Sequence, residues 1–424
     1  MEYTNSLEFA KKLDAIDPLS YLRDEFHFPE INGKPALYFT GNSLGLQPVN
    51  VKKYINEELE SWRLLGVKGH FKGNRPWFHY HKFSKESLAK ITGAKPSEVV
   101  AMNNLTTNLH ILMVSFYRPN RRRYKIIMEA GAFPSDMYLI ETQVRFHGYD
   151  PGDAIIEIKP RKGSYCLRNE DIINVIQKNA ESTALVMFSG VQYYTGQFFN
   201  MHAITRAAHD AGAYVGFDLA HAIGNVILNL HDDEVDFAAW CSYKYLNSGP
   251  GNTAGIFVHE NHGQRTDILR FGGWWGHDEQ KRFLMKKGFI PMKGADGWQL
   301  GNVNVLSTAA HLASLAIFDM AGIKKLREKS VSLTGFLAFV VNEIGNDQIS
   351  VITPANPEER GCQLSMVIHQ QAKKVFDYLT RNRVIVDWRE PDVIRIAAVP
   401  LYNSYEDVYR FGDLLHNALT NYPA

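Results

Sequence analysis

Val235-Asp-Phe-Ala-Ala-Trp-Cys-Ser242, running into Tyr243-Lys244, is the stretch that decides how this chain folds. It is a short apolar run of the kind that forms a strand buried on both faces of a sheet. Upstream, Ala213-Tyr-Val-Gly-Phe217 is a second such run; it ends in Asp218, and His221 follows three residues later. A glycine-bearing turn, Asn247-Ser-Gly-Pro-Gly251, stands behind the lysine. Two successive strands thus deliver a carboxylate and a lysine to their exits, where open α/β sheets bind ligands. A lysine there can hold an aldehyde as a Schiff base, and an acid there can pair with a protonated pyridine nitrogen. Pyridoxal 5'-phosphate needs both.

The alternation extends in both directions. Residues 99–102, 125–129, 154–158, 184–188 and 254–258 read as further strands. Helices are expected from near Asn108 (after a polar turn at 103–107), after Ala132-Phe-Pro-Ser-Asp136, and over 200–211. Short, nearly all-apolar strands between helices indicate an α/β fold with a mostly parallel sheet covered on both faces. Before this series, residues 7–26 show helical spacing broken at Pro18. Ala36-Leu-Tyr-Phe39 reads as a strand entering the tight turn Gly41-Asn-Ser-Leu-Gly45, and a helix runs from Pro48 through Trp62. After Asn304, one long helix over 307–326 leads into a smaller α+β region with strands at 363–368, 384–387 and 393–397. The expected organisation is a segment 1–60 contributing to the small domain, a large cofactor-binding domain 61–306 and a small domain 307–424.

Bulk properties narrow the class. A chain of 424 residues exceeds one ordinary core. With 46 basic against 45 acidic residues it carries a formal charge of +1, which gives no drive toward nucleic acid or anionic lipid. Cys166, Cys241 and Cys362 are odd in number and widely separated, with neither disulfide nor metal spacing, so a reducing compartment is expected. The N-terminus lacks a basic region followed by an apolar one. No apolar stretch approaches the roughly 20 residues needed to cross a bilayer. A cytoplasmic protein is expected.

Each candidate site residue also has an ordinary reading. Lys244 alone is a surface lysine after a strand, and Asp218 a strand-end or capping aspartate. His221 either supports the Asp218 carboxylate or is a satisfied structural histidine. Asn104-Leu-Thr-Thr107 is a phosphate cradle at a helix start or an ordinary N-cap. Phe133 stacks on a cofactor ring or fills a core, and Ser189 is a strand-end hydroxyl with the same two readings. Together they form a strand-exit series that a bound cofactor explains.

The motifs Gly41-Asn-Ser-Leu-Gly-Leu-Gln-Pro48, Ala132-Phe-Pro-Ser-Asp136, Phe188-Ser-Gly190 with Tyr194-Thr-Gly-Gln197, Gly216-Phe-Asp-Leu-Ala-His221 and Cys241-Ser-Tyr-Lys-Tyr-Leu-Asn247 closely resemble kynureninase. So do Gly273-Trp274, Trp275-Gly-His277 and Val399-Pro-Leu-Tyr-Asn403, in order from about residue 36 to near the C-terminus. The resemblance implies the aspartate-aminotransferase-like fold type I of pyridoxal phosphate enzymes and a homodimer with shared active sites. It also implies hydrolysis of L-kynurenine, and of its 3-hydroxy form, to anthranilate or 3-hydroxyanthranilate and L-alanine. That reaction belongs to tryptophan degradation or NAD precursor synthesis.

Carried over by motif, Lys244 is the Schiff-base lysine and Asp218 the pyridinium partner. Leu105, Thr106, Phe133, Pro134, Ser135, Asp136, Ser189, His221 and Tyr243 line the cofactor. Trp274 and Asn302 reach it, or the substrate, from the partner subunit. Arg395 clamps the substrate carboxylate, a task suited to a guanidinium fork. Asn42, Ser43, His70 and Asn302 fall where the family contacts substrate; a polar His70–Asn302 pair near the aromatic ring favours a ring hydroxyl. Tyr243 is either the proton donor or only a phosphate ligand. Competing expectations are a cysteine desulfurase or selenocysteine lyase of the same fold, which carry histidine before the lysine and a catalytic cysteine, and a non-catalytic binding protein of this fold.

Overall fold

The computed structural model describes residues 2–422. Seven strands form the main sheet: β1 (Val99–Ala101), β2 (Lys125–Glu129), β3 (Ile155–Ile158), β4 (Thr183–Ser189), β5 (Tyr214–Asp218), β6 (Phe237–Trp240) and β7 (Gly255–Val258). Their spatial order is β1-β7-β6-β5-β4-β2-β3. The pairs β2–β3, β2–β4, β4–β5 and β5–β6 are parallel, and β7 alone runs antiparallel to its neighbours β6 and β1.

Alternate residues of these strands feed two separate cores, as the period of two requires. On one face Ala101, Ile127, Val186, Val215, Ala238 and Phe257 pack with the helices Lys85–Thr92, Asn169–Lys178 and Met201–Asp210. On the other, Val100, Ile126, Leu185, Phe237 and Ile256 pack with Leu105–Phe116 and Pro134–Phe146. There Phe116 stacks on Phe237, with centroids 4.7 Å apart and planes at 18°, a contact worth about 0.5–1.5 kcal/mol beyond its area. The apolar character read from the sequence therefore reflects cover on both faces.

A third core surrounds a four-stranded antiparallel sheet, β8 (Ile349–Val351), β9 (Gln363–Ile368), β10 (Asp387–Arg389) and β11 (Val393–Ala397), ordered β8-β9-β11-β10. The N-terminal helix Leu7–Ile16, capped by Ser6 Oγ, buries Ala10 and Leu13 in it. Leu37–Tyr38 pairs in parallel with Val384–Ile385, and Thr40 bridges Ala397, so the next residues, 41–45, are led toward the main sheet.

Four sequence expectations change. The helix expected near Asn108 begins at Leu105, because the Asn104 side chain accepts from Thr107 N at 3.0 Å and caps it. The single helix over 307–326 is two helices, Val305–Ala321 and Ile323–Gly345, set at 78°. Gly322 between them has φ +75°, a conformation that L side chains rarely adopt. The strand expected at 384–387 is divided between the Leu37–Tyr38 pairing and β10, and β8 was not foreseen. The helix expected from Pro48 starts at Val51, since Gln47–Pro48 pairs with Phe26–His27. Among the described residues, no single helix is long and apolar enough to cross a membrane.

Candidate active site

The strand register brings the exits together. Asp218 lies level with Ser189 on one side and Ala239 on the other, and β6 then delivers Tyr243 and Lys244. Ser189, Asp218, Tyr243 and Lys244 line a cavity of about 480 Å³, within the usual range of roughly 300–1,000 Å³ for small-molecule sites. Larger open clefts of about 1490 and 860 Å³ lie elsewhere, but neither combines buried carboxylates, a lysine and an open aromatic face.

Lys244 Nζ sits 3.0 Å from His221 Nε2 and 5.6 Å from the centroid of the Phe133 ring. His221 is buried with Nδ1 unpartnered; burial, then the Lys244 charge, holds the imidazole well below its ordinary pKa and hence neutral. The histidine thus faces the lysine and not the Asp218 carboxylate that the sequence reading offered it. Phe133 is 38% exposed, which rules out the core reading. Its ring meets Tyr193 edge-on at 5.2 Å, and Pro134 behind it is the first residue of the helix Pro134–Phe146.

Three buried carboxyls converge beneath the cavity. Asp218 accepts from Ala220 N at 2.7 Å and from the Asp136 side chain. Burial, then the Asp218 charge, pushes Asp136 well above the carboxylate range. Burial raises Asp218 too, but the Ala220 N–H, the Asp136 hydrogen bond and the Lys244 charge all lower it, so of the pair Asp136 holds the proton and Asp218 the charge. Glu129, at the end of β2, is pushed up to about 7 by burial, with Asp218 also raising it. It accepts from Ser189 Oγ at 2.5 Å and Ser189 N at 3.1 Å. Ser135 donates to Asp136 at 3.3 Å.

Leu105 and Thr106, which also line the cavity, open the twelve-residue helix Leu105–Phe116 with N–H groups that have no partner inside the helix. Such a terminus accommodates a phosphate. Burial pushes the Tyr243 hydroxyl upward, with Cys241 adding to the effect, so it stays a phenol.

Arg395, 1% exposed, donates from Nη1 to the Tyr193 carbonyl at 2.6 Å and pairs through Nη2 with Asp387. The same carbonyl accepts from Gln363 Nε2 at 3.0 Å, and Gln363 Oε1 accepts from Asn42 Nδ2 at 2.9 Å. Asn42 Oδ1 is buried without a partner, and Asn42 and Ser43 both line the cavity.

The turn that carries them is fixed by close approach: Gly45 N donates to the Tyr243 carbonyl at 2.8 Å. A Cβ on Gly45 would overlap Lys244 O and Asn247. Gly45→Ala is accordingly expected to cost about 1–3 kcal/mol by overpacking and to displace Lys244. Thermal unfolding and turnover, measured together, check this; a variant with wild-type values in both refutes it.

Four expected residues lie outside this cavity: Pro134, which opens the helix Pro134–Phe146 without lining it, and three others. His70 Nδ1 donates to the Val67 carbonyl (3.1 Å) with its ring edge-on to Trp77, Trp274 is 40% exposed against Phe283, and Asn302 is exposed. Glu129, Tyr193, Gln363 and Arg389 were not singled out from the sequence; their contacts with Ser189, Arg395, Asn42 and Asp387 reveal them. The three thiols are poor nucleophiles: burial pushes Cys362 up to about 12, Cys166 up to about 11, and Cys241 upward. None lines the cavity.

A charged carboxylate at a strand exit, a lysine above it, an open aromatic ring and a helix N-terminus together fit pyridoxal phosphate. Fold and site define a fold type I pyridoxal-phosphate-dependent enzyme. Solved structures of similar fold include a C-DES variant with glycine covalently linked to its PLP cofactor (TM-score 0.74, 15% identity, covering 90% of this chain and 96% of that one). Another is the apo cysteine desulfurase of Thermococcus onnurineus NA1 (TM-score 0.75, 17% identity, 97% and 98%). Residues 79–238 match the DegT/DnrJ/EryC1/StrS aminotransferase family and residues 326–415 the kynureninase C-terminal domain. The chain is 53% identical to the kynureninase of Flavobacterium psychrophilum over 99% of both chains. It is 53% identical to that of Myxococcus xanthus over 96% of both, and 48% identical to that of Nematostella vectensis over 97% of this chain and 94% of that one. This protein belongs to the kynureninase family.

Proposed function

We propose that the protein hydrolyses L-kynurenine to anthranilate and L-alanine, with pyridoxal phosphate in the cavity around Lys244. The observation that carries this is the convergence of Lys244, Asp218 and Arg395 on one cavity in a chain of that family. Lys244 would hold the cofactor covalently, Asp218 its ring nitrogen, Phe133 its ring face, and the Leu105–Thr106 helix start its phosphate. When bound, the cofactor supplies an electron sink for bonds next to the amino carbon. Lys244 moves the proton at the substrate α carbon, and Arg395 orients the carboxylate. Water adds to the γ-carbonyl, the Cβ–Cγ bond breaks, the aryl carboxylic acid departs, and the β carbon gains a proton. The Tyr243 phenol, kept protonated by burial, is the donor for that last step.

The raised thiols weigh against a persulfide chemistry. Adding L-kynurenine is expected to produce anthranilate fluorescence and an equal amount of alanine; sulfide release from cysteine without either product would overturn the reading. Tyr243→Phe is expected to lower kcat by about 10²-fold or more, with KM moving little; unchanged kcat would reduce Tyr243 to a binding group.

The same reading extends to a homodimer in which Trp274 and Asn302 reach the neighbouring site, and to a polar His70–Asn302 pair near the aromatic ring that favours a 3-hydroxylated substrate. Exposed Phe71, Phe283 and Trp274 support the homodimer, with Phe283 centred 6.4 Å from Phe71 and 5.8 Å from Trp274, since contiguous exposed apolar surface marks association. We also keep the division 1–60, 61–306 and 307–424, and a cytoplasmic location.

A further inference from the structure

Asp387, Arg389 and Arg395 share one face of the small sheet. Asp387 lies opposite Arg395 in the β10–β11 register, and residues 387 and 389, two apart on a strand, point the same way. Asp387 Oδ2 accepts from Arg389 Nη2 at 3.1 Å and also pairs with Arg395 Nη2. Both guanidinium carbons lie 5.8 Å from the Tyr193 ring centroid. Each arginine nevertheless keeps a buried Nε–H with no partner, and both line the cavity of Lys244.

Two guanidiniums and one carboxylate leave a single uncompensated positive charge, and a buried donor without a partner is costly until something accepts from it. Arg395 has one Nη committed to Asp387 and the other to the Tyr193 carbonyl. Two of its five N–H donors are thereby engaged, and its unpartnered Nε–H, with that of Arg389 beside it, is free for a ligand, so the two guanidiniums together can grip both oxygens of one carboxylate. We propose that Arg389 is a second substrate-binding residue, acting with Arg395 on the α-carboxylate, and that Asp387 is the positioning residue that holds the two guanidiniums side by side. The arrangement matches one carboxylate: the Asp387 charge repels a second. This rests on the reading of the cavity as an amino acid site.

The test uses cofactor-loaded protein and two probes, L-alanine and L-alaninamide, with affinity read from the change in cofactor absorbance. Arg389→Gln is expected to weaken L-alanine by about tenfold or more, the usual scale for a charged hydrogen bond, while L-alaninamide changes by less than about twofold. Unchanged L-alanine affinity, or an equal loss for both probes, would remove Arg389 from the carboxylate site. Arg395→Gln is measured in parallel: if it too spares L-alanine, the amino acid does not seat here and the underlying reading fails, not the Arg389 assignment alone. For Asp387, Asp387→Asn is expected to raise KM for L-kynurenine more than it lowers kcat, with Asp387→Glu restoring most of the loss. An unchanged KM in Asp387→Asn overturns the positioning role.

Discussion

Lys244→Ala is expected to reduce turnover of L-kynurenine by at least about 10⁴-fold, because in the proposed function one side chain would supply both the covalent anchor and the base. Lys244 Nζ reaches only His221 Nε2 among the described side chains by hydrogen bond. That imidazole is held neutral by burial, so it is a weak substitute for the lost ammonium. Borohydride treatment gives the direct measurement. In the wild type it should lock the cofactor to the chain through denaturation, whereas the variant should release it. Cofactor still fixed to the chain in Lys244→Ala would mean that another amine is the anchor.

Asp218→Asn is expected to lower kcat by about 10²–10³-fold, the scale on which a preorganised electrostatic partner is lost. The substitution is nearly isosteric, and its oxygen can still accept from Ala220 N as Asp218 does now. What disappears is the negative charge that the proton on Asp136 helps to preserve. Asp136, raised by burial and by Asp218, should then ionise more readily. A pH titration of cofactor absorbance should therefore shift in the variant while the thermal midpoint stays near that of the wild type. Full activity across pH would show that Asp136 alone carries the charge.

Most of the main sheet was legible because its strands are nearly continuous apolar runs, a pattern that cover on both faces imposes. The exits of β4, β5 and β6 could be read for the same reason: a polar residue ends each run, at Ser189, Asp218 and Ser242. The start of the Leu105 helix was misplaced because Asn104 serves turn and cap alike, and only the Thr107 N contact distinguishes them. The break at Gly322 was missed because apolar periodicity continues across it while the direction changes. Arg389 stayed hidden for a different reason. Its place beside Arg395 follows from the pairing of two strands, and pairing leaves no mark in a local pattern. His70, Trp274 and Asn302 came from resemblance, and one chain by itself does not bring them to the cavity.

The hydrogen-bonded line from Asn42 through Gln363 and the Tyr193 carbonyl to Arg395 has a consequence for the order of folding. Asn42 and Gln363 are 321 positions apart in the chain, and Tyr193 and Arg395 are 202 apart. Contacts so remote carry a large loop-closure cost and favour slow formation. Each sheet can collapse with its own cover first, and the wall formed by Asn42, Gln363, Tyr193 and Arg395 comes into being only when the two are joined. During refolding, regained secondary structure should thus precede regained affinity for an amino acid.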